Sequence, residues 1–117
     1  MEIRTIGSGI DVDSALDAYV KRSIYFALGR FSSRVERVSV VLSNEDAPNG
    51  GMRKTCRFRV QLLGLPTEAI EEADFDVCAA IDRAAGRIGR MVAIRLDPVV
   101  DSLQGEGKFI RRRKEQA

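Results

Sequence analysis

The chain has 117 residues, of which 44% are hydrophobic and 31% are charged, and its formal net charge is +2. This length suits one domain, and this balance of residues is typical of a soluble globular domain and excludes a disordered chain. No apolar run is long enough to span a bilayer, and the N-terminus lacks the basic start and apolar block of a signal peptide, so we expect a cytoplasmic protein with no membrane partner.

The first part of the chain predicts a strand, a helix and a second strand. Residues 2–8 read as a short strand that ends in glycines. Residues 11–31 repeat apolar residues every three or four positions, which predicts a helix, and Asp13 is its expected N-cap. The stripe of this helix comprises Leu16, Tyr19, Val20, Ile24, Ala27, Leu28 and Phe31. Residues 35–43 alternate between apolar and polar and predict the second strand.

The second part predicts two more strands and a long helix. Residues 44–51 (NEDAPNGG) predict a flexible hairpin loop, and residues 54–63 alternate as a third strand. Residues 67–73 predict a fourth strand. Residues 76–95 predict a helix that Asp97-Pro98 ends. Its stripe comprises Val77, Ala80, Ile81, Ala84, Ile88, Met91 and Val92.

The order β-α-β-β-β-α predicts an α+β two-layer sandwich. Alternating strands leave one sheet face to be covered, and the two amphipathic helices supply the cover. The first helix runs back along the first strand, and two hairpins make the fourth strand run like the second. We therefore expect a four-stranded sheet with two parallel helices packed on one face.

The charge is divided unevenly along the chain. Residues 98–117 contain five basic and three acidic residues, whereas residues 1–97 contain fourteen of each. We expect a folded domain over residues 1–97 and a flexible basic tail over residues 98–117. The basic run at residues 111–114 is equally consistent with a solvated tail and with a tail that grips RNA.

Parallel helices would bring their basic C-terminal halves to one end of the sheet, where the second strand begins. The acidic residues come first in both helices, an order that the helix dipole also explains. Few acidic residues, Glu36 and Asp97, interrupt the basic end. The predicted patch comprises Lys21, Arg22, Arg30, Arg34, Arg37, Arg83, Arg87, Arg90 and Arg95.

Other charged and aromatic residues have plainer interpretations. Arg57 and Arg59 point away from the predicted core, where they are solvated or pair with acidic residues of the fourth strand. The acids in question are Glu68, Glu71 and Glu72. Tyr25 lies between basic positions and is the candidate stacking platform. Core positions are expected for Tyr19, Phe26, Phe31, Phe58 and Phe75.

Catalysis and metal binding have little support. The chain has no histidine, which removes the commonest acid–base group and a common zinc ligand. Cys56 and Cys78 are expected to be small buried side chains. The acidic residues between positions 71 and 76 lie at a strand-to-helix junction, where N-capping explains them. We therefore expect that the protein is not an enzyme and that it binds no cofactor, metal or small-molecule substrate.

An ordered set of short pieces over about residues 1–95 resembles one known family. The pieces are Ile3-Arg4, Gly7, Ile10, Val12, Ala15-Leu16, Tyr19-Val20, VERVSVVLS at 35–43, Asp76 and Ala79-Ala80-Ile81-Asp82. In these residues the chain is similar to the ribosome hibernation-promoting factors, also called ribosome-associated inhibitor or sigma-54 modulation proteins.

The resemblance implies a fold similar to that of double-stranded RNA-binding domains. It also implies binding to the small ribosomal subunit, in the channel used by messenger and transfer RNA, when translation is idle in stationary phase or under stress. The protein would block initiation by its bulk, without a chemical step. Arginine suits this role because its fork binds phosphate through paired hydrogen bonds, and phosphate contacts need not read base sequence.

The sequence also departs from the family pattern. The last helix ends in MVAIRLD, where the family has a lysine-rich run, and residues 23–26 (SIYF) replace charged residues. These changes make the helix surface more apolar. The alternative hypothesis is therefore a protein-interaction module of the same fold, or a homodimer, that has lost strong ribosome binding.

Overall fold

The computed structural model describes residues 1–96, which form a four-stranded sheet with two helices on one face. The elements are β1 (Glu2–Ser8), α1 (Ser14–Leu28), a turn of 3-10 helix (Gly29–Phe31), β2 (Val35–Asp46), β3 (Met52–Leu62), β4 (Glu68–Asp74) and α2 (Val77–Leu96). The predicted helix stop at Asp97-Pro98, the predicted tail at 98–117 and its basic run lie outside the described residues.

The strands lie in the order β1-β2-β3-β4. Strand β1 pairs with β2 in parallel, and the other two pairings are antiparallel. A parallel pair needs a crossover connection, and α1 supplies it. The predicted α+β sandwich with the order β-α-β-β-β-α is confirmed.

The two helices run parallel, as predicted. Near their N-terminal ends, the Tyr19 hydroxyl donates a hydrogen bond of 2.7 Å to Asp82. Near their C-terminal ends, α1 and α2 meet at Ala27 and Gly89. A Cβ built on Gly89 would lie 3.2 Å from the Ala27 carbonyl oxygen, so glycine permits this close approach.

The core lies between the sheet and the helix layer. Alternate residues of β2 and β3 point into it, and both helices contribute their apolar stripes. Phe58 is the largest fully buried side chain within residues 1–96. The fully buried residues are Val20, Ile24, Leu28, Val38, Val40, Leu42, Cys56, Phe58, Val60, Ala80, Ile81, Ala84, Ile88 and Val92.

Local chemistry sets the ends of the elements. Helix α1 begins at Ser14 because the Asp13 carboxylate accepts a hydrogen bond of 2.8 Å from the Leu16 amide, so the predicted N-cap is confirmed. The α-helix ends at Leu28, three residues earlier than predicted, and a turn of 3-10 helix follows. The hairpin loop is shorter than predicted, since the ladder of β2 and β3 leaves residues 47–51 unpaired.

Neither helix within residues 1–96 has the length and apolar character that crossing a membrane requires. The same residues contain no group of three side chains arranged to bind a metal. Cys56 and Cys78 are free thiols. Cys56 is fully buried, and burial raises the pKa of its thiol to about 12, so it stays neutral in the core.

Candidate nucleic-acid interface

A groove runs between α1 and α2 on the side of the helix layer that faces away from the sheet. Its volume is about 760 Å³, within the range of sites that bind small molecules. Small residues keep it open, because Ala27 faces Gly89 where the helices approach closely. The lining residues are Tyr19, Arg22, Ser23, Phe26, Ala27, Arg30, Asp82, Ala85, Gly86, Gly89, Arg90, Ala93 and Ile94.

Three residues of the predicted patch meet in this groove: Arg22, Arg30 and Arg90. None of them forms an ion pair with another residue of the described part of the chain. Arg22 lies over the Tyr19 ring at 5.5 Å, and Arg30 lies over the Phe31 ring at 4.6 Å. Such cation–π contacts use the face of the guanidinium and leave its N–H groups free to donate to phosphate.

Phe26 lies in the middle of the groove's α1 wall. Its side chain is 95% exposed. A core position was predicted for Phe26, and this prediction is wrong. The signal was present in the sequence, because Phe26 does not belong to the apolar stripe that defines the buried face of α1. Ile94, from α2, is also exposed, at 43%.

The remaining aromatic predictions have mixed outcomes. Phe58 is fully buried, and Tyr19 and Phe31 pack against the core, as expected. Phe75 was expected in the core, but it is 63% exposed. Tyr25 is half-exposed on α1 but does not line the groove, and its role in stacking stays a prediction.

The groove carries one acidic side chain among its described lining residues, that of Asp82. Its carboxylate accepts the hydrogen bond from the Tyr19 hydroxyl. This bond, together with burial, raises the pKa of Tyr19 to about 12, so the phenol stays neutral and keeps donating. The described lining residues thus include three arginines and one acidic side chain, which leaves the groove with an excess of positive charge.

The other arginines of α2 face β4 instead of the groove. The ion pairs are Arg83 with Glu72 and Asp74, Arg87 with Glu72, and Arg95 with Glu68. We call these pairs the β4 ladder. Because strand residues alternate in direction, Glu68, Glu72 and Asp74 point towards the helix layer, where α2 covers the edge of the sheet. No local pattern in the sequence predicts this pairing between α2 and β4.

Two carboxylates of the β4 ladder, those of Glu72 and Asp74, have pKa values below their ordinary range, which favours their charged form. The Arg87 guanidinium, with help from Arg83, lowers the pKa of Glu72 although partial burial opposes the shift. The Asp76 amide and the Arg83 guanidinium lower the pKa of Asp74. These cations are therefore engaged within the protein, unlike the three in the groove.

The remaining residues of the predicted patch lie apart from the groove. Lys21 pairs with Asp17 one helical turn earlier, at 3.0 Å. Arg37 points to the open face of the sheet and pairs with Glu2 at 3.2 Å. Arg34 is exposed in the turn before β2 and has no ion pair within residues 1–96. The nine residues therefore do not form one continuous surface, and contact of any of them with RNA stays a prediction.

On the open face of the sheet, Arg57 and Glu71 are register partners and form an ion pair at 3.2 Å. The predicted cross-strand pairing is therefore found for Arg57. Arg59 has no ion pair within the described residues. Glu68 and Glu72, the other expected partners, belong to the β4 ladder.

Residues 3–96 match the family described as Sigma 54 modulation protein / S30EA ribosomal protein. The crystal structure of the Thermus thermophilus Protein Y N-terminal domain is similar, with a TM-score of 0.64 and 31% sequence identity, covering 79% of this chain and 96% of that chain. A ribosomal subunit interface protein from Coxiella burnetii shares the fold, with a TM-score of 0.64, 17% identity, and coverage of 80% and 94%. No curated protein sequence matches the chain.

Proposed function

Because the chain belongs to the Sigma 54 modulation protein / S30EA ribosomal protein family, whose members are non-enzymatic and ribosome-associated, we propose that it is a translation inhibitor of the ribosome hibernation type. It binds ribosomal RNA of the small subunit and blocks the channel for messenger and transfer RNA. This role places it in the cytoplasm and requires no cofactor. The domain proposed for this role spans about residues 1–97, and residues 98–117 contain five basic and three acidic residues.

The observation that carries this proposal is the unpaired state of the three groove arginines. A guanidinium already paired with a carboxylate must give up that pair before it binds phosphate. Arg22, Arg30 and Arg90 have no such pair within residues 1–96 and project from two parallel helices around one groove. Phosphate contacts position a protein on RNA without reading its sequence, as a steric block in a fixed channel requires.

The first prediction concerns these three residues. Replacing Arg22, Arg30 and Arg90 together by Gln should weaken binding to purified small ribosomal subunits. Each phosphate contact contributes about 0.7–0.9 to the slope of log K against log salt, so the slope should fall by about 2–3 units. Co-sedimentation over a series of salt concentrations measures both effects.

The control removes the same charge from the opposite face. Arg4, Arg57 and Arg59 replaced together by Gln should leave the salt slope nearly unchanged, because their side chains lie on the open face of the sheet. Equal loss of affinity in the two triple variants would mean that overall charge, and not the groove, drives binding. Full retention by the groove variant would reject the groove as the site.

A second candidate function is a protein-interaction or self-associating module of the same fold. The exposed side chains of Tyr25, Phe26 and Ile94 on the helix layer favour it. A dimer that persists at high salt in analytical ultracentrifugation, together with no sedimentation on ribosomal subunits, would support this function over the first.

A further inference from the structure

Phe26 is an aromatic residue on the surface, so packing in the core does not explain why an aromatic side chain is found at this position. Its side chain is 95% exposed, whereas aromatic rings ordinarily bury large apolar areas in cores and interfaces. Within residues 1–96 the ring therefore has a free face. This bare ring is part of the groove, not of an isolated surface position.

Cations surround the ring. Arg22 lies one helical turn before Phe26 on α1, and Arg30 lies four residues after Phe26, in the turn of 3-10 helix that follows α1. Arg90 faces them from α2. A Cβ built on Gly86 would lie 3.6 Å from Nη1 of Arg90, so the Arg90 side chain extends over a helix position that has no side chain of its own.

The residues that line the groove beside the Phe26 ring are small. Ala27, Ala85 and Ala93 line the groove, and glycine occupies positions 86 and 89 of α2. This shape suits a flat group that lies across the groove better than a bulky side chain that needs a deep pocket. An aromatic ring flanked by cations in an open groove is the arrangement that binds single-stranded nucleic acid, with bases on the ring and phosphates on the cations.

We propose that the groove binds an unpaired segment of RNA, with one base stacked on Phe26 and the neighbouring phosphates bound by Arg22, Arg30 and Arg90. This inference rests on the proposed function and adds to it the kind of RNA that the site takes. The phosphates of an RNA duplex could bind the three arginines. Its bases would not stack on Phe26, because they are already stacked on one another.

The decisive comparison is between two exposed phenylalanines, Phe26 inside the groove and Phe75 outside it. Phe26→Ala should weaken binding of a single-stranded RNA 12-mer about tenfold, because it removes one base-stacking contact. The salt slope should stay unchanged, since no charge is lost. Binding of a 12-base-pair RNA duplex should change little. Phe75→Ala is the matched control and should leave both affinities as they are, because the Phe75 side chain is 63% exposed but does not line the groove.

Fluorescence tests the contact directly. The chain contains no tryptophan, so Phe26→Trp introduces a single indole at the site. Single-stranded RNA should quench its emission and bind with at least the wild-type affinity, whereas the duplex should quench it weakly. A fluorescence anisotropy titration of labelled RNA gives the affinities in parallel.

Two outcomes would overturn the inference. One is single-stranded RNA binding that Phe26→Ala does not weaken. The other is an indole that responds to an acidic polyglutamate peptide but not to RNA, which would assign the groove to an acidic protein partner. If the wild-type chain sediments with small subunits while either outcome is found, the inference fails and the proposed function stands. If the wild-type chain does not sediment, the proposed function fails whatever the indole reports.

Discussion

Gly86 and Gly89 show how closely α1 and α2 are fitted together. Both lie inside the continuous helix α2, where glycine is about 1 kcal/mol less favourable than alanine. Packing explains the glycine at position 89, because a Cβ there would lie 3.2 Å from the carbonyl oxygen of Ala27 and 3.3 Å from its Cβ. At Gly86 the nearest atom is the mobile end of the Arg90 side chain, at ordinary contact distance.

The two glycines should therefore respond differently to alanine. Gly86→Ala should raise the free energy of unfolding by about 0.5–1 kcal/mol through helix propensity alone. Gly89→Ala should lose most or all of that gain to the crowded contact with Ala27, and it should be about 1 kcal/mol less stable than Gly86→Ala. Urea unfolding followed by circular dichroism measures both variants. Equal gains would show that the helices separate at Gly89 without cost.

Gly7 illustrates another constraint at the scale of a single residue. A Cβ at this position would lie 2.1 Å from the carbonyl oxygen of Ile10, a distance that no side chain can occupy without moving the backbone. The turn after β1 therefore requires glycine for space. Gly7 is one of the residues on which the family resemblance rests, and this contact gives its identity a physical cause.

At the scale of elements, the β4 ladder determines how α2 lies on the edge of the sheet. Strand β4 pairs with β3 alone within residues 1–96, and an unpaired strand edge invites unwanted pairing. Carboxylates on its inner side receive arginines from α2, and Glu72 is the centre because both Arg83 and Arg87 bind it. The ladder thus ties helix to strand and engages these arginines within the protein.

The ladder predicts a loss of stability in acid. The pKa of Glu72 in the folded protein is lowered from its ordinary value of 4.5, so the unfolded chain takes up this proton first as the pH falls. The contribution of Glu72 is therefore complete above that ordinary value and disappears as the pH drops through the lowered folded value. Near neutral pH, Glu72→Gln should cost about 1 kcal/mol or less, since the arginines are half-exposed.

Urea unfolding at a series of pH values measures this effect. The difference between the wild type and Glu72→Gln should shrink towards zero as the pH falls below 4.5. Glu71→Gln is the matched control, because it removes a carboxylate of the same strand on the open face. A difference between wild type and Glu72→Gln that stays constant with pH would contradict the role assigned to the ladder.

At the scale of the whole molecule, the ion pairs, and not the net charge, determine which basic side chains are available to bind a ligand. Residues 1–97 contain equal numbers of basic and acidic side chains, yet the acids are not spread evenly around the surface. They neutralise the β4 side of α2, much of the open sheet face and the outer side of α1. The groove is the basic surface that remains between the helices in the described residues.

This distribution predicts where the ribosome protects the protein. Hydrogen–deuterium exchange with and without small subunits should slow in residues 19–31 and 82–94, which carry the groove. The loop at residues 47–51 should exchange equally in both states and serves as the internal control. Protection confined to β1, β2 and β3 would place the interface on the open face of the sheet and contradict the proposed site.

Most of the fold was predictable because it depends on periodicity along the chain. The stripes of α1 and α2 and the alternation in β2 and β3 identify the elements, and the order of elements gives their directions. Asp13 could be recognised as an N-cap because its partner, Leu16, is three residues away. Such local signals need no knowledge of what lies opposite in space.

The candidate site was predictable only in part. Sequence spacing placed Arg83, Arg87 and Arg90 together on the polar side of α2, but Arg83 and Arg87 pair with acids of β4 whereas Arg90 lines the groove. Whether an arginine on that side meets a carboxylate of β4 or the open groove depends on a modest rotation about the helix axis. The pattern of residues along the sequence does not give that rotation angle, because packing of the core sets it.

The amino-acid sequence by itself determined the elements, their order and the parallel helices, since each follows from patterns within one segment or from the direction of successive segments. The family resemblance came separately, from an ordered set of short motifs. The tertiary structure alone decided which cations are neutralised and which are free. It joined residues as distant as Arg95 and Glu68, and it left Phe26 bare between Arg22 and Arg30. Ion pairing and exposure depend on distances in space, and packing of the helices on the sheet creates those distances.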